Sequence, residues 1–79
     1  MKDSFVFYRS FMDSINTVPK LKDKYLLLES IIKLGLFSKN NDNIEENFIT
    51  FSAKLEQKLS KNLHILGVFY AIKPQIIAN

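Results

Sequence analysis

The chain has no cysteine and no tryptophan, and its 79 residues include only two glycines, two prolines, one histidine and one arginine. Without cysteine there can be no thiol nucleophile, no disulfide and no thiolate metal site, a composition that suits a reducing compartment. A lone histidine, His64, leaves little material for a metal centre or an acid/base pair. With Arg9 as the single arginine, bidentate reading of guanine or phosphate is poorly supplied, which argues against sequence-specific nucleic-acid recognition. No apolar run reaches the roughly 18 residues that span a bilayer, and Asp3, Arg9 and Asp13 interrupt the apolar N-terminal stretch where a secretory leader would lie. These absences together predict a soluble, cytoplasmic protein with no membrane association.

What is present is apolar. Hydrophobic residues make up 47% of the chain and aromatic residues 13%, enough for one compact core and a single domain over residues 1–79. A core of this size is marginal without disulfides, metal or a partner, so association with a larger protein or a second copy is expected.

Formal charge is +3, which points to nucleic acid only where the bases cluster. Lys20, Lys22 and Lys24 form one group, diluted by Asp23. Lys54, Lys58 and Lys61 form a second at spacings i, i+4 and i+7, on one face of a helix, diluted by Glu56. Such a stripe reads first as a solvated helix face and second as a means of contacting phosphate.

Periodicity predicts helices throughout. From Ser4 to about Thr17, Phe5, Tyr8, Met12 and Ile15 repeat at three and four, with Phe7 and Phe11 beside them. Asp3 or Ser4 can cap that helix, and Pro19 closes the segment. A second helix is expected from Leu21 to Leu34, with Leu21, Tyr25, Leu28 and Ile32 as one stripe, Leu27, Ile31 and Leu34 beside it, and Gly35 as a left-handed stop. This leaves Glu29, Ser30 and the lysines for solvent. The polar run from Ser38 to Asn43 reads as a mobile loop. Asn43 and Glu46 then outline a capping box for a third helix, with Ile44, Phe48, Phe51, Leu55 and Leu59 as its seam. Lys61-Asn62 softens the pattern before Ile65, Phe69, Ile72 and Ile76 begin a fourth seam, and the sequence leaves open whether the third and fourth helices join. Pro74 is expected to kink or end the last helix about one turn upstream. Phe5-Val6-Phe7-Tyr8 and Phe48-Ile49-Thr50-Phe51 carry strand-favouring side chains, but neither has hairpin turn chemistry beside it. The fold class is therefore all-α, a small bundle of three to four helices.

Three segments resemble a phage and prophage family of uncharacterised helical modules, often found at the front of replication-associated proteins. They are the opening Ser4-Phe5-x-x-Tyr8, the stretch from Tyr25 to Leu36, and the closing Ile72-Lys73-Pro74-Gln75-Ile76. The resemblance spans about half of the chain and implies a helical fold and a phage setting, with no catalytic residues to transfer. Members of that family typically continue past the closing motif into a basic, asparagine- and glycine-rich tail and have a short connection after the second helix, where Ile44 to Asn62 here read as an additional helix.

Candidate chemical residues are few. His64 with Asp42, Glu45 or Glu46 could form a metal or acid/base site, yet between Leu63 and Ile65 it reads as a surface or packed residue. Tyr8, Tyr25 and Tyr70 could stack bases, but their places on apolar seams predict core packing with the hydroxyl at the boundary. Ser4, Ser10 and Ser14 lack a partnering base. No enzyme, cofactor or metal is expected. Instead the chain reads as a phage or mobile-element protein that binds a host protein or nucleoprotein, for which inhibition of a CRISPR-type nuclease is a model. Phe37, Phe48 and Phe51, with Lys54, Lys58 and Lys61, are the expected partner-binding face, the lysines being able to touch RNA in a nucleoprotein target. The alternatives are a replication accessory that binds nucleic acid or a replication protein, and a homodimerisation scaffold.

Overall fold

A computed structural model describes residues 4–40 and 45–78, with the side chains of 39, 40 and 45–47 outside the description. Four helices follow in order: α1 (Arg9–Ile15), α2 (Leu21–Asn40), α3 (Glu45–Leu59) and α4 (Leu63–Ala78). No strand occurs among the described residues, so the bundle is all-α.

The first helix is shorter than its periodicity predicts. Residues 4–8 are non-helical, and Tyr8 at the N-cap is extended, with φ −77° and ψ 151°. The reason is tertiary. Phe5 lies against Gly35 on α2, so close that a β-carbon there would fall 2.5 Å from the ring. The extended segment also sets up a chain of edge-to-face aromatic contacts, with ring centroids 6.1 Å apart for Phe5–Phe7 and 5.4 Å for both Phe7–Phe11 and Tyr8–Phe11. Such pairs stabilise beyond the area they bury. At its other end α1 closes through bonds from the Thr17 amide (3.1 Å) and hydroxyl (2.6 Å) to the Ser14 carbonyl, and from the Val18 amide to the Ile15 carbonyl.

Gly35 is not a left-handed stop. It has no positive φ, and α2 runs through it to Asn40. Glycine is needed at this position for close approach, because any side chain would displace Phe5. The polar run is consequently helical from Ser38 to Asn40, with the Ser38 hydroxyl donating to the Gly35 carbonyl. Asn41, Asp42 and Asn43, and with them the expected capping box and Ile44, lie outside the described residues.

The core is built from Phe11, Ile15 and Val18, the Leu27, Ile31 and Leu34 face of α2, Leu55 and Leu59 of α3, and Ile65, Phe69, Ile72 and Ile76 of α4. On α2 the expected solvent face holds for Lys22 and Lys33, which are exposed, but not for Ser30. Ser30 is buried and donates to the Leu26 carbonyl, while Leu21 is 79% and Tyr25 66% exposed. Tyr8 and Tyr70 are likewise exposed rather than packed in the core.

A break at Ser60 to Asn62 separates α3 from α4. There the Asn62 side chain accepts the His64 amide at 2.9 Å, an N-cap for α4, and donates to Asp23 Oδ2 at 2.9 Å. This second bond fixes the start of α4 beside the start of α2. Pro74 neither ends nor interrupts α4, which continues to Ala78. Proline removes one helix bond, but Ile72 before it and Ile76 after it are both buried and hold the turns on either side in place.

Candidate functional site

The aromatic half of the expected partner-binding face comes together. Phe37 from the last part of α2 stacks on Phe51 of α3 with centroids 4.3 Å apart and planes within 6°, and Phe48 sits 6.3 Å from Phe37 at a tilt. All three are half-buried, and Phe48 and Phe51 pack against the core, so this cluster ties α2 to α3 while showing solvent one edge. Lys54, Lys58 and Lys61 are exposed along α3 and the turn after it. Helical geometry puts Lys54 and Lys58 to one side of the Phe48–Phe51–Leu55–Leu59 seam, flanking the aromatics rather than covering them.

Between α3 and α4, Glu56 collects three donors. The Lys73 ammonium reaches Oε2 at 2.8 Å, the Ser52 hydroxyl reaches the same oxygen at 2.9 Å, and the Tyr70 hydroxyl reaches Oε1 at 3.2 Å. Partial burial pushes the Glu56 carboxyl up, but the bonds from Lys73, Ser52 and Tyr70 outweigh it and hold the group below its ordinary value. Tyr70 is pushed up, by desolvation and by donating to that carboxylate. With its donors pointed inward at one satisfied anion, the cluster acts as a clamp between helices.

An open groove of about 420 Å³ runs between α1 and α4, lined by Ser14, Thr17, Leu63, His64, Gly67, Val68 and Ala71. Thr17 Oγ1 lies 3.2 Å from His64 Nε2 and 2.6 Å from the Ser14 carbonyl. The single hydroxyl proton goes to the carbonyl, so His64 Nε2 is the donor to Thr17. A ring nitrogen that donates to this hydroxyl cannot also deprotonate it, and the pair serves as a tether between α1 and α4. No group of three or more His, Asp or Glu among the described residues is placed to hold a metal ion. No helix of the described residues is long and apolar enough to cross a membrane.

Two surfaces emerge that periodicity alone did not reveal. One is the outer stripe of α2, where Leu21, Tyr25 and Ile32 are exposed and Leu28 half-exposed. Its spacing of four, three and four was visible, but α2 is apolar almost all round, and the competing stripe took the core. The other lies where α2 and α4 begin. The Asn62–Asp23 bond joins two lysine groups that lie far apart in sequence, since Lys22 and Lys24 flank Asp23 while Lys61 adjoins Asn62. No local pattern announces that meeting. No family model matches the chain, nor does any curated protein or solved structure.

Proposed function

We propose that this chain is a non-enzymatic phage or mobile-element protein that works in the host cytoplasm by binding a host protein or nucleoprotein, and that a CRISPR-type defence nuclease is the class of target it inhibits. The observation that carries the binding role is the uncovered stripe on α2. Leu21 and Tyr25 are exposed at 79% and 66%, and no other described element lies over them. Large apolar side chains grouped at helical spacing are the anchors by which a helix face docks into a partner's groove. Lys22 and Lys24 border the stripe, which suits a partner with an acidic rim. The Phe37, Phe48 and Phe51 cluster with Lys54, Lys58 and Lys61 offers a second contact region. The phage setting rests on the resemblance of the two ends and of Tyr25 to Leu36.

The test is an affinity pull-down of the tagged chain from bacterial host lysate, with and without nuclease treatment, beside a Leu21→Asp/Tyr25→Asp variant. A stoichiometric, nuclease-resistant host protein that the variant loses, and whose activity the purified chain inhibits, supports the reading. Recovery of nucleic acid with replication factors, released by nuclease, overturns it in favour of a replication accessory. That second reading draws on the meeting of the two lysine groups.

A further inference from the structure

We propose that the end of the bundle where α2 and α4 begin is a binding surface for single-stranded nucleic acid, with Lys20, Lys22, Lys24, Lys58 and Lys61 on the phosphates and the Tyr25 ring under a base. The charge is concentrated at this end. Five lysines lie within four residues of Asp23 or Asn62, the two residues that this bond joins, with Asp23 as the carboxylate among them. That surplus exceeds the +3 of the whole chain, so the remainder of the molecule is close to neutral.

The lysines are also available. The ion pairs among the described residues engage Lys33 with Glu29 and Lys73 with Glu56, and none of the five at this end pairs with a described residue. Four are exposed and Lys24 is half-buried. The one carboxylate in their midst, Asp23, is occupied by the Asn62 amide.

Tyr25 makes the surface suited to a single strand. It is 66% exposed and lies three residues after Lys22, hence beside it on the helix surface. An exposed ring next to unpaired cations is the arrangement that stacks a base while the backbone is held by charge. A duplex hides its base faces from such a ring. With Arg9 the sole arginine and outside this cluster, the surface lacks the group that reads base edges bidentately. The binding is therefore tolerant of sequence.

The inference rests on the second, replication-accessory reading and competes with the host-protein reading for Lys22, Lys24 and Tyr25. Its test uses only the purified chain and a defined probe, so its failure is distinguishable from a failure of the pull-down. The measurement is fluorescence anisotropy of labelled oligothymidine as a function of salt. Expected is a linear fall of log K with log salt, a slope reduced by about 0.7 in each of Lys22→Ala and Lys61→Ala, and an unchanged slope in Lys33→Ala. Tyr25→Ala should weaken binding about tenfold at constant slope. Absence of binding at low salt, or an equal loss of slope in Lys33→Ala, overturns the proposal. Competition by polyglutamate as effective as by unlabelled oligothymidine overturns it in favour of an acidic protein partner, and equal affinity for duplex with no effect of Tyr25→Ala overturns the single-strand assignment.

Discussion

Phe5 occupies the space that a side chain at Gly35 would need, with three of its ring atoms within 2.6 Å of where that β-carbon would stand. Two residues thirty positions apart thus depend on each other: the glycine admits the ring, and the ring draws the N-terminal segment out of the helix.

Substitution at the two glycines should have opposite signs. Gly67→Ala meets nothing within 4 Å and replaces glycine inside a helix, so stability should rise by about 0.5–1 kcal/mol. Gly35→Ala gains the same propensity but evicts Phe5, and overpacking of this kind costs about 1–3 kcal/mol. In a Phe5→Ala background the penalty at Gly35 should vanish. Chemical denaturation of the four variants measures that coupling directly.

Removal of the Asn62 side chain should cost more than an ordinary cap. Asn62→Ala loses the bond to the His64 amide and also the bond to Asp23. A lost cap alone costs about 1 kcal/mol, so a loss nearer 2 kcal/mol is expected. Asn62→Asp should keep the cap but set two carboxylates together, and so recover only part of the stability. Thermal unfolding of the pair separates the two contributions.

Glu56 should make part of the stability depend on acid. Its carboxyl is held below the ordinary 4.5, so the stability it adds is present above about pH 4.5 and is lost as pH falls through the lowered value. The chain and its Glu56→Gln variant should therefore differ in stability at neutral pH by about 1–2 kcal/mol and converge in acid. A difference that stayed constant across the titration would refute the role given to the carboxylate.

The two stripes of α2 should respond unequally to truncation. Leu27→Ala empties a fully buried site and should cost about 2–5 kcal/mol. Leu21→Ala removes a side chain that is 79% exposed and should change stability by less than about 0.5 kcal/mol. Sedimentation of the Leu21→Ala variant also reports on self-association. A wild-type dimer that becomes a monomer on this change would show that a second copy covers the stripe.

How much of this was legible in the sequence varied with the contrast between helix faces. The seams of α3 and α4 were readable because lysines, glutamine and glutamate occupy the other side of Phe48, Phe51, Leu55 and Leu59, and because Ile65, Phe69, Ile72 and Ile76 keep strict spacing. On α2 nearly every position from Tyr25 to Phe37 is apolar, so periodicity offered two stripes and could not rank them. The start of α1 and the role of Gly35 were illegible for one shared reason, since a ring contact across thirty residues leaves no local mark. Pro74 was read correctly as a missing donor, but the anchoring of Ile72 and Ile76 outweighed it. The aromatics at 37, 48 and 51 were singled out as a group, and they do meet. Their half-burial came from the packing of α2 on α3, which spacing along either helix does not convey.

The bond between Asn62 and Asp23 has an electrostatic consequence for the fold itself. By bringing two lysine groups to one end, folding brings like charges closer than they stand in the extended chain, and the native state carries that repulsion as a standing load. Anything that neutralises the lysines relieves the folded form more than the unfolded one. Simple salt should therefore raise the melting temperature of this chain, a polyanion should raise it at far lower concentration, and the thermal transition becomes a readout of what the basic end has bound.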